Sequence, residues 1–173
     1  MNNENPTQTM PKIDLIVNRI IDAPPDLVWK AWTEPEYVKR WWGPKDYTSP
    51  SCKIDLRVGG KYIFCMRAPQ YQGGQDSYTA GVYKKIVPGE FLEFTQSLAD
   101  KDGNKIDPDQ VGMPPDFPKE IRTTVVFKKI KGCNLTELII TEKDWTPGQM
   151  YVFSFAGMHQ SIDKLAESLK NLR

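Results

Sequence analysis

The chain has 173 residues, and its 23 lysines and arginines against 22 aspartates and glutamates give a formal net charge of +1. A nearly neutral chain has no field that draws it to a polyanion, which argues against nucleic acid as a partner. Hydrophobic residues make up 39% and aromatic residues 11%, so disorder of the whole chain is excluded. At about 150 residues per domain we expect one domain, over residues 11–173.

The expected location follows from the N-terminal segment and the cysteines. Residues 1–10 are polar, so we predict a disordered tail, and they lack the basic cluster and apolar stretch of a secretory signal. No window approaches about 18 consecutive apolar residues, so we expect no membrane association. Cys52, Cys65 and Cys133 are widely spaced, which favours reduced thiols. We therefore predict a cytoplasmic protein.

The first predicted element is a strand over residues 13–21, whose odd-numbered side chains point to one face. All of these side chains are aliphatic except Arg19. A polar group on an apolar face must find a partner. We therefore expect Arg19 either to orient a bound ligand or to turn outward at a strand bulge.

Two short helices are predicted after this strand. Prolines at 24–25 are tolerated in a first turn, and apolar residues recur at helical spacing over 27–32. Thr33 and Glu36 have the spacing of a capping box that begins the second helix, which ends at 43–44.

These helices carry four tryptophans: Trp29, Trp32, Trp41 and Trp42. We interpret them as anchors that hold the helices against the core, with a ligand-stacking platform as the alternative. A tryptophan whose indole N–H points into a cavity would be the exception to the first interpretation.

The middle of the chain has the alternation of antiparallel strands. The segment 52–58 turns at 59–60 into a strand over 61–68. Further strands are predicted at 78–87, 91–98, 120–130 and 135–143. Gln96 interrupts the apolar phase of its strand, so the two expectations for Arg19 apply to it as well.

Residues 99–119 form a predicted loop rich in Asp, Pro and Gly, far longer than a hairpin loop of about 2 to 5 residues. We predict that it lacks regular structure and is a mobile flap at a cavity mouth. Its residues 100–104 resemble the opening of a calcium loop, but Lys105 replaces the required glycine. We expect neither a metal nor a cofactor.

The last predicted element is a helix of roughly 22 residues that begins at Thr146, with Pro147 in its first turn. One apolar stripe runs along it: Tyr151, Phe155, Met158, Ile162, Leu165 and Leu169. Such a stripe must pack on an apolar surface, and the sheet is the large candidate. His159, which is the chain's one histidine, lies at the margin of the stripe.

Four short motifs occur in order along the chain. The first is formed by 21–25 and 28–29, the second by 33–36 and 41–44, and the third by 57–60. In the fourth, Gly157 is followed by Ser161, Ile162 and Leu165. In these motifs the chain resembles the heat-shock protein 90 ATPase activator homologue family of the START-like (SRPBCC, helix-grip) superfamily. The resemblance implies an α+β fold in which a curved antiparallel sheet grips the long C-terminal helix around a cavity. Met158 departs from the family, which commonly has tryptophan there.

Our leading hypothesis is a non-enzymatic domain that binds a small hydrophobic molecule in this cavity, as a monomer or a homodimer. The candidate ligand-binding residues are Arg19, Tyr62, Phe64, Phe94, Gln96, Phe155, Met158, His159 and Ile162. The first alternative, implied by the resemblance, is a co-chaperone-like interaction domain in the stress response. The second is a cavity enzyme that uses His159 or a carboxylate such as Glu142. No catalytic constellation is visible in the sequence.

Overall fold

Seven antiparallel strands form one curved sheet in the computed structural model, which describes residues 10–172. The strands are β1 (Ile13–Ile21), β2 (Cys52–Ile54), β3 (Lys61–Arg67), β4 (Asp76–Val87), β5 (Phe91–Ala99), β6 (Ile121–Lys129) and β7 (Thr136–Trp145). They lie in the order β1-β7-β6-β5-β4-β3-β2. The predicted tail lies outside the described residues except for Met10, which is exposed.

Three α-helices complete the fold: α1 (Pro25–Thr33), α2 (Pro35–Val38) and α3 (Gln149–Leu169). Both short helices follow β1, and α3 is the long C-terminal helix. Short 3₁₀ turns lie at Gln70–Gln72, Pro108–Val111 and Lys170–Leu172. This arrangement confirms the predicted α+β class and its helix-grip topology.

The capping box predicted for α2 is wrong. Thr33 Oγ1 donates to Trp29 O at 2.8 Å, inside α1, so it does not reach the N–H groups of the next helix. The helix α2 begins at Pro35 with no side-chain cap, and proline itself has no N–H to satisfy. The tight junction of the two helices explains the failure, because Thr33 is still part of α1.

The cap predicted for α3 is also wrong, since the helix begins at Gln149 rather than at Thr146. The hydroxyl of Thr146 instead accepts a hydrogen bond of 2.6 Å from Lys12 Nζ. Asp116, on the distant loop, takes the capping role: its Oδ2 accepts from Met150 N at 3.3 Å. A carboxylate at a helix N-terminus is also favoured by the helix dipole.

The hairpin predicted at 59–60 differs from the structure. Only Cys52–Ile54 pairs with β3, and residues 55–60 form a longer turn closed by the bond from Gly60 N to Arg57 O. Gly59 has a φ of +82°, which favours glycine. The strand ends early because Val58 and its neighbours turn into solvent and find no apolar surface to cover.

The 99–119 loop contains more structure than predicted. It has the 3₁₀ turn Pro108–Val111, and Lys119 pairs with Asp107 at 2.9 Å. Near its end, Phe117 packs edge-on against the ring of Trp145 at 6.1 Å. The loop therefore lies against the N-terminus of α3, while its mobility stays a prediction.

The helix α3 is fixed to the rest of the fold through its C-terminal half, residues 161–169. On one side Asp163 accepts from Arg19 of β1 at 2.6 Å. On the other side Lys164 Nζ donates to three backbone carbonyls of the segment 43–47, at 2.8 to 3.3 Å. Burial lowers the pKa of Lys164, and these carbonyls are its hydrogen-bond acceptors.

Candidate functional site

The concave face of the sheet and helix α1 together contribute a group of large apolar side chains, called here the ring cluster. Five come from β3, β4 and β5 and one, Trp32, comes from α1: Trp32, Tyr62, Phe64, Tyr83, Leu92 and Phe94. Sheet register brings them together, because Tyr83 of β4 pairs directly with Phe94 of β5. The ring of Tyr62 lies 4.7 Å from Phe64, 5.5 Å from Tyr83 and 5.6 Å from Phe94. Strand alternation therefore brings the five sheet residues of the cluster to one face, and Trp32 of α1 packs onto them.

Gly81 makes room for the centre of this floor. Tyr62 pairs across the strands with Gly81, and its hydroxyl reaches beyond it to donate to Thr95 O at 2.6 Å. A Cβ on Gly81 would lie 1.7 Å from that same oxygen and 2.9 Å from the Tyr62 ring. No side chain fits there, so glycine is what lets the tyrosine lie flat across β4.

The space enclosed by the ring cluster is closed in this conformation. Its volume for a water-sized sphere is about 0 Å³. Burial raises the pKa of Tyr62 far above its usual range and that of Tyr83 as well, so both phenols stay neutral. The site is therefore dry, uncharged and filled by its own rings.

One polar atom in this cluster has no partner. The indole Nε1 of Trp32 is buried and makes no hydrogen bond within residues 10–172. Buried donors are nearly always satisfied in folded proteins, because leaving one unpaired costs about 1–3 kcal/mol. Trp32 is therefore the candidate for the exception to the anchoring role, which was defined as a tryptophan whose indole N–H points into a cavity.

A second, polar cluster lies beside the rings: Gln96, Thr123, Glu142 and Trp145. Gln96 Nε2 donates to Thr123 Oγ1 at 2.7 Å and to Glu142 Oε1 at 3.1 Å. Trp145 Nε1 donates to the other carboxylate oxygen at 3.0 Å. Burial raises the pKa of Glu142, and the two donated hydrogen bonds oppose that rise.

Two of the four residues of this polar cluster, Gln96 and Glu142, were candidates from the sequence. Gln96 was marked by its place in an apolar phase, and Glu142 has the same signal, since it follows Leu138 and Ile140 on the inner face of β7. Thr123 and Trp145 were missed. Threonine is common in strands and gives no such signal, and the role of Trp145 depends on a partner that the backbone brings within reach.

The remaining predicted residues lie on α3 and on the adjacent edge strand. Arg19 points inward and donates to Asp163 and, at 3.4 Å, to His159 O. The bulge of β1 lies between Ile13 and Leu15, so it does not turn Arg19 outward. The protein therefore supplies the partners that Arg19 needs.

The nine predicted ligand-binding residues thus fall into three groups. Tyr62, Phe64 and Phe94 belong to the ring cluster, and Gln96 belongs to the polar cluster. On α3, Met158 is half-buried, Ile162 is fully buried, and Phe155 is 37% exposed with its ring 4.6 Å from that of His159. Arg19 joins this last group through its contacts with α3.

Two grooves lie on the outer surface, away from the concave face. One, of about 320 Å³, is lined by residues of the β1–α1 turn together with Asn134 and Leu172. The other, of about 220 Å³, lies between the outer face of the sheet and residues 102–105.

Two features of the structure bear on metal binding and on membrane spanning. Among residues 10–172, no group of three or more His, Cys, Asp or Glu side chains is placed to hold a metal ion. Over the same part of the chain, the helices are too short or too polar to cross a bilayer.

Comparison with known proteins identifies a matching family and solved structures with a similar fold. The family model for activator of Hsp90 ATPase homolog 1-like protein matches residues 22–170. A solved protein from Chromobacterium violaceum is 25% identical, with a TM-score of 0.67 over 89% of this chain and 94% of its own. No curated protein matches the chain.

Two further solved structures share the fold. A Nitrosomonas europaea protein is 24% identical, with a TM-score of 0.70 over 92% of this chain and 95% of its own. The AHSA1 protein from Silicibacter pomeroyi is 20% identical, with a TM-score of 0.70 over 93% of this chain and all of its own.

Proposed function

Because the chain belongs to the activator of Hsp90 ATPase homolog 1-like family, a family with a START-like fold, we propose that it is a binding domain. Its ligand is a small hydrophobic molecule held between the concave face of the sheet and α3. In this proposal the ring cluster forms the floor of the site, and the partly buried Met158, which packs against the same core, contributes to its roof. The proposal makes the protein a carrier or sensor rather than an enzyme.

The observation that carries the proposal is the uneven packing of α3. Its C-terminal half fully buries Ser161, Ile162, Leu165 and Leu169, whereas no side chain in residues 149–160 is fully buried. The side chains of residues 149–160 that touch the core, those of Met150, Tyr151 and Met158, are only partly buried. A helix that is packed tightly at one end and loosely at the other can lift at the loose end without breaking the fold. The N-terminal half of α3, residues 149–160, is therefore the element that admits a ligand.

Opening is required, because the enclosed space holds no water-sized sphere. The ligand would then bind a minor, open state and shift the population toward it. Apolar burial supplies the driving force at about 25 cal/mol per Å². Binding is expected to be weak to moderate, since part of this gain offsets the cost of opening.

The test is binding of Nile red, a neutral dye whose fluorescence rises in apolar surroundings. Met158→Trp should fill the roof of the site and weaken binding about tenfold or more. Val152→Trp is the matched control, because Val152 lies on the same half of α3 but is 59% exposed. Equal dye affinity in the two variants would overturn the proposal.

A second candidate function is protein interaction of the kind that the family description names. It is favoured by the exposure of Val152 and Phe153, at 59% and 58%, on the outer side of the same half-helix. If this is the function, Phe153→Asp abolishes stimulation of a chaperone ATPase while Met158→Trp leaves it unchanged. Turnover of a screened substrate that is lost in His159→Ala would favour the enzyme alternative over both.

A further inference from the structure

The unpartnered indole of Trp32 points to the kind of molecule that the proposed site takes. The side chain is 3% exposed, and its Nε1 has no acceptor within residues 10–172. Its ring lies 4.7 Å from that of Trp41 and 6.5 Å from that of Phe94, inside the ring cluster. The side chain that carries this buried donor is therefore part of the lining of the proposed binding site.

The other fully buried tryptophans are treated differently by the fold. Trp41 Nε1 donates to Ala31 O at 2.7 Å, and Trp145 Nε1 donates to Glu142 at 3.0 Å. The same chain thus satisfies two buried indoles with good geometry and leaves the third without an acceptor. Exposure to solvent does not explain this difference, since the Trp32 side chain is only 3% exposed.

A trapped water does not fit as the missing partner. A water needs a cavity of at least one probe sphere and two or more polar contacts. The space within the ring cluster has no room for such a sphere.

The surroundings also define the charge and shape of the missing partner. The lining offers aromatic faces and one leucine, with no ionised group among its members. A charged ligand would lose its hydration without gaining a counter-ion. A flat, uncharged molecule can pack its ring against the aromatic side chains, and a single acceptor atom on it can receive the hydrogen bond of the indole N–H.

We infer that Trp32 donates a hydrogen bond to the carbonyl oxygen of an uncharged, ring-containing ligand, such as an aromatic ketone or aldehyde, that enters the ring cluster. This inference rests on the proposed function and specifies its ligand class. The closed structure keeps the donor free, so that ligand binding satisfies it. The unpaired N–H then contributes to affinity and to selection for carbonyl compounds.

The experiment compares two molecules of nearly the same shape: acetophenone, which has a C=O group, and α-methylstyrene, which has C=CH₂ in its place. We expect acetophenone to bind about tenfold more tightly, the value of one added hydrogen bond. In two-dimensional NMR spectra of the five indole N–H groups, acetophenone should move the Trp32 proton downfield. α-Methylstyrene should not.

Two variants complete the test. Trp32→Phe removes the donor and should bring the two affinities together, and its missing signal assigns the Trp32 resonance. Trp41→Phe is the control, since it removes a neighbouring indole that already has an acceptor, and it should preserve the tenfold ratio. Should either variant fail to fold, the Trp32 resonance is assigned from three-dimensional NMR spectra of the unaltered protein, and its shift there still decides.

The possible failures are distinguishable. If both compounds bind the unaltered protein equally well, or if acetophenone binds without moving an indole proton, the inference is wrong and the proposed function stands. If neither compound nor Nile red binds, the proposed function fails and the inference fails with it.

Discussion

The two halves of α3 differ in how they are held, although one apolar stripe runs through both. The C-terminal half buries Ile162 and Leu165 completely and is tied on both sides, through Asp163 and Lys164. The N-terminal half is capped by Asp116, and its other ties are a hydrogen bond of 3.4 Å from Arg19 to His159 O, one of 3.1 Å from Lys45 N to Gln160, and a ring contact between Tyr151 and Trp145. None of its side chains is fully buried. The comparison teaches that one helix can serve as an anchor and as a cover.

The largest expected effect comes from breaking the anchored half. Ile162→Asp places an unpaired charge at a fully buried position and should lower the free energy of unfolding by about 3–5 kcal/mol. Val152→Asp, in the other half, should stay within about 0.5 kcal/mol of the unaltered protein. Chemical denaturation of both variants measures this contrast, and equal losses would contradict it.

Next in size is the loss of the buried lysine. Lys164→Met keeps the length of the side chain but leaves three backbone carbonyls without their donor, at a cost of about 1–3 kcal/mol. Lys143→Met, which removes an exposed ion pair with Asp14, should cost about 0–1 kcal/mol. A smaller loss for Lys164→Met than for this control would show that the anchor is not at Lys164.

The pH dependence of stability tests whether Glu142 is buried on the concave face, and its expected effect on the free energy of unfolding is smaller. Burial raises its folded pKa above the ordinary value of 4.5, so the folded state holds the proton more tightly than the unfolded state does. The stability contributed by this group is present below pH 4.5 and is lost as the pH rises toward the folded pKa.

Comparison with Glu142→Gln isolates this contribution, because all other titrating groups are shared. The free energy of unfolding of the unaltered protein should fall relative to that of the variant as the pH is raised from 4 toward neutrality, a range that begins near the ordinary carboxyl pKa of 4.5. Parallel pH curves would mean that Glu142 is not desolvated.

The smallest expected effect concerns the two neighbouring tryptophans. Trp41→Phe and Trp32→Phe remove the same volume, but only the first also breaks a hydrogen bond, that to Ala31 O. Trp41→Phe should therefore be the more destabilising by about 1 kcal/mol. A larger loss in Trp32→Phe would indicate that its indole has a partner after all.

Local pattern was enough to predict most of the helices and strands, whereas the helix-grip arrangement was implied by the family resemblance. Alternation located the strands, and the stripe from Tyr151 to Leu169 located α3, because burial on one face leaves its period in the sequence. The predicted cap of α3 was wrong because the residue that caps this helix is distant in the sequence. The residue that caps α3 is Asp116, which lies 34 positions from its partner Met150, and no local spacing records such a contact.

The candidate site was predictable only in part. Tyr62, Phe64 and Phe94 were predicted to line one cavity, and in the structure their side chains belong to one cluster. The partner of Arg19, Asp163, lies 144 residues away and depends on how the helix crosses the sheet. The free indole of Trp32 could not be foreseen at all, because a missing partner is a property of the folded surroundings.

Amide hydrogen exchange along α3, with and without Nile red, tests the central claim most directly. We predict that residues 149–160 exchange faster than residues 161–169 in the free protein, and that the dye slows exchange in the first segment alone. Equal exchange in the two segments, or dye binding that leaves residues 149–160 unprotected, would contradict the account.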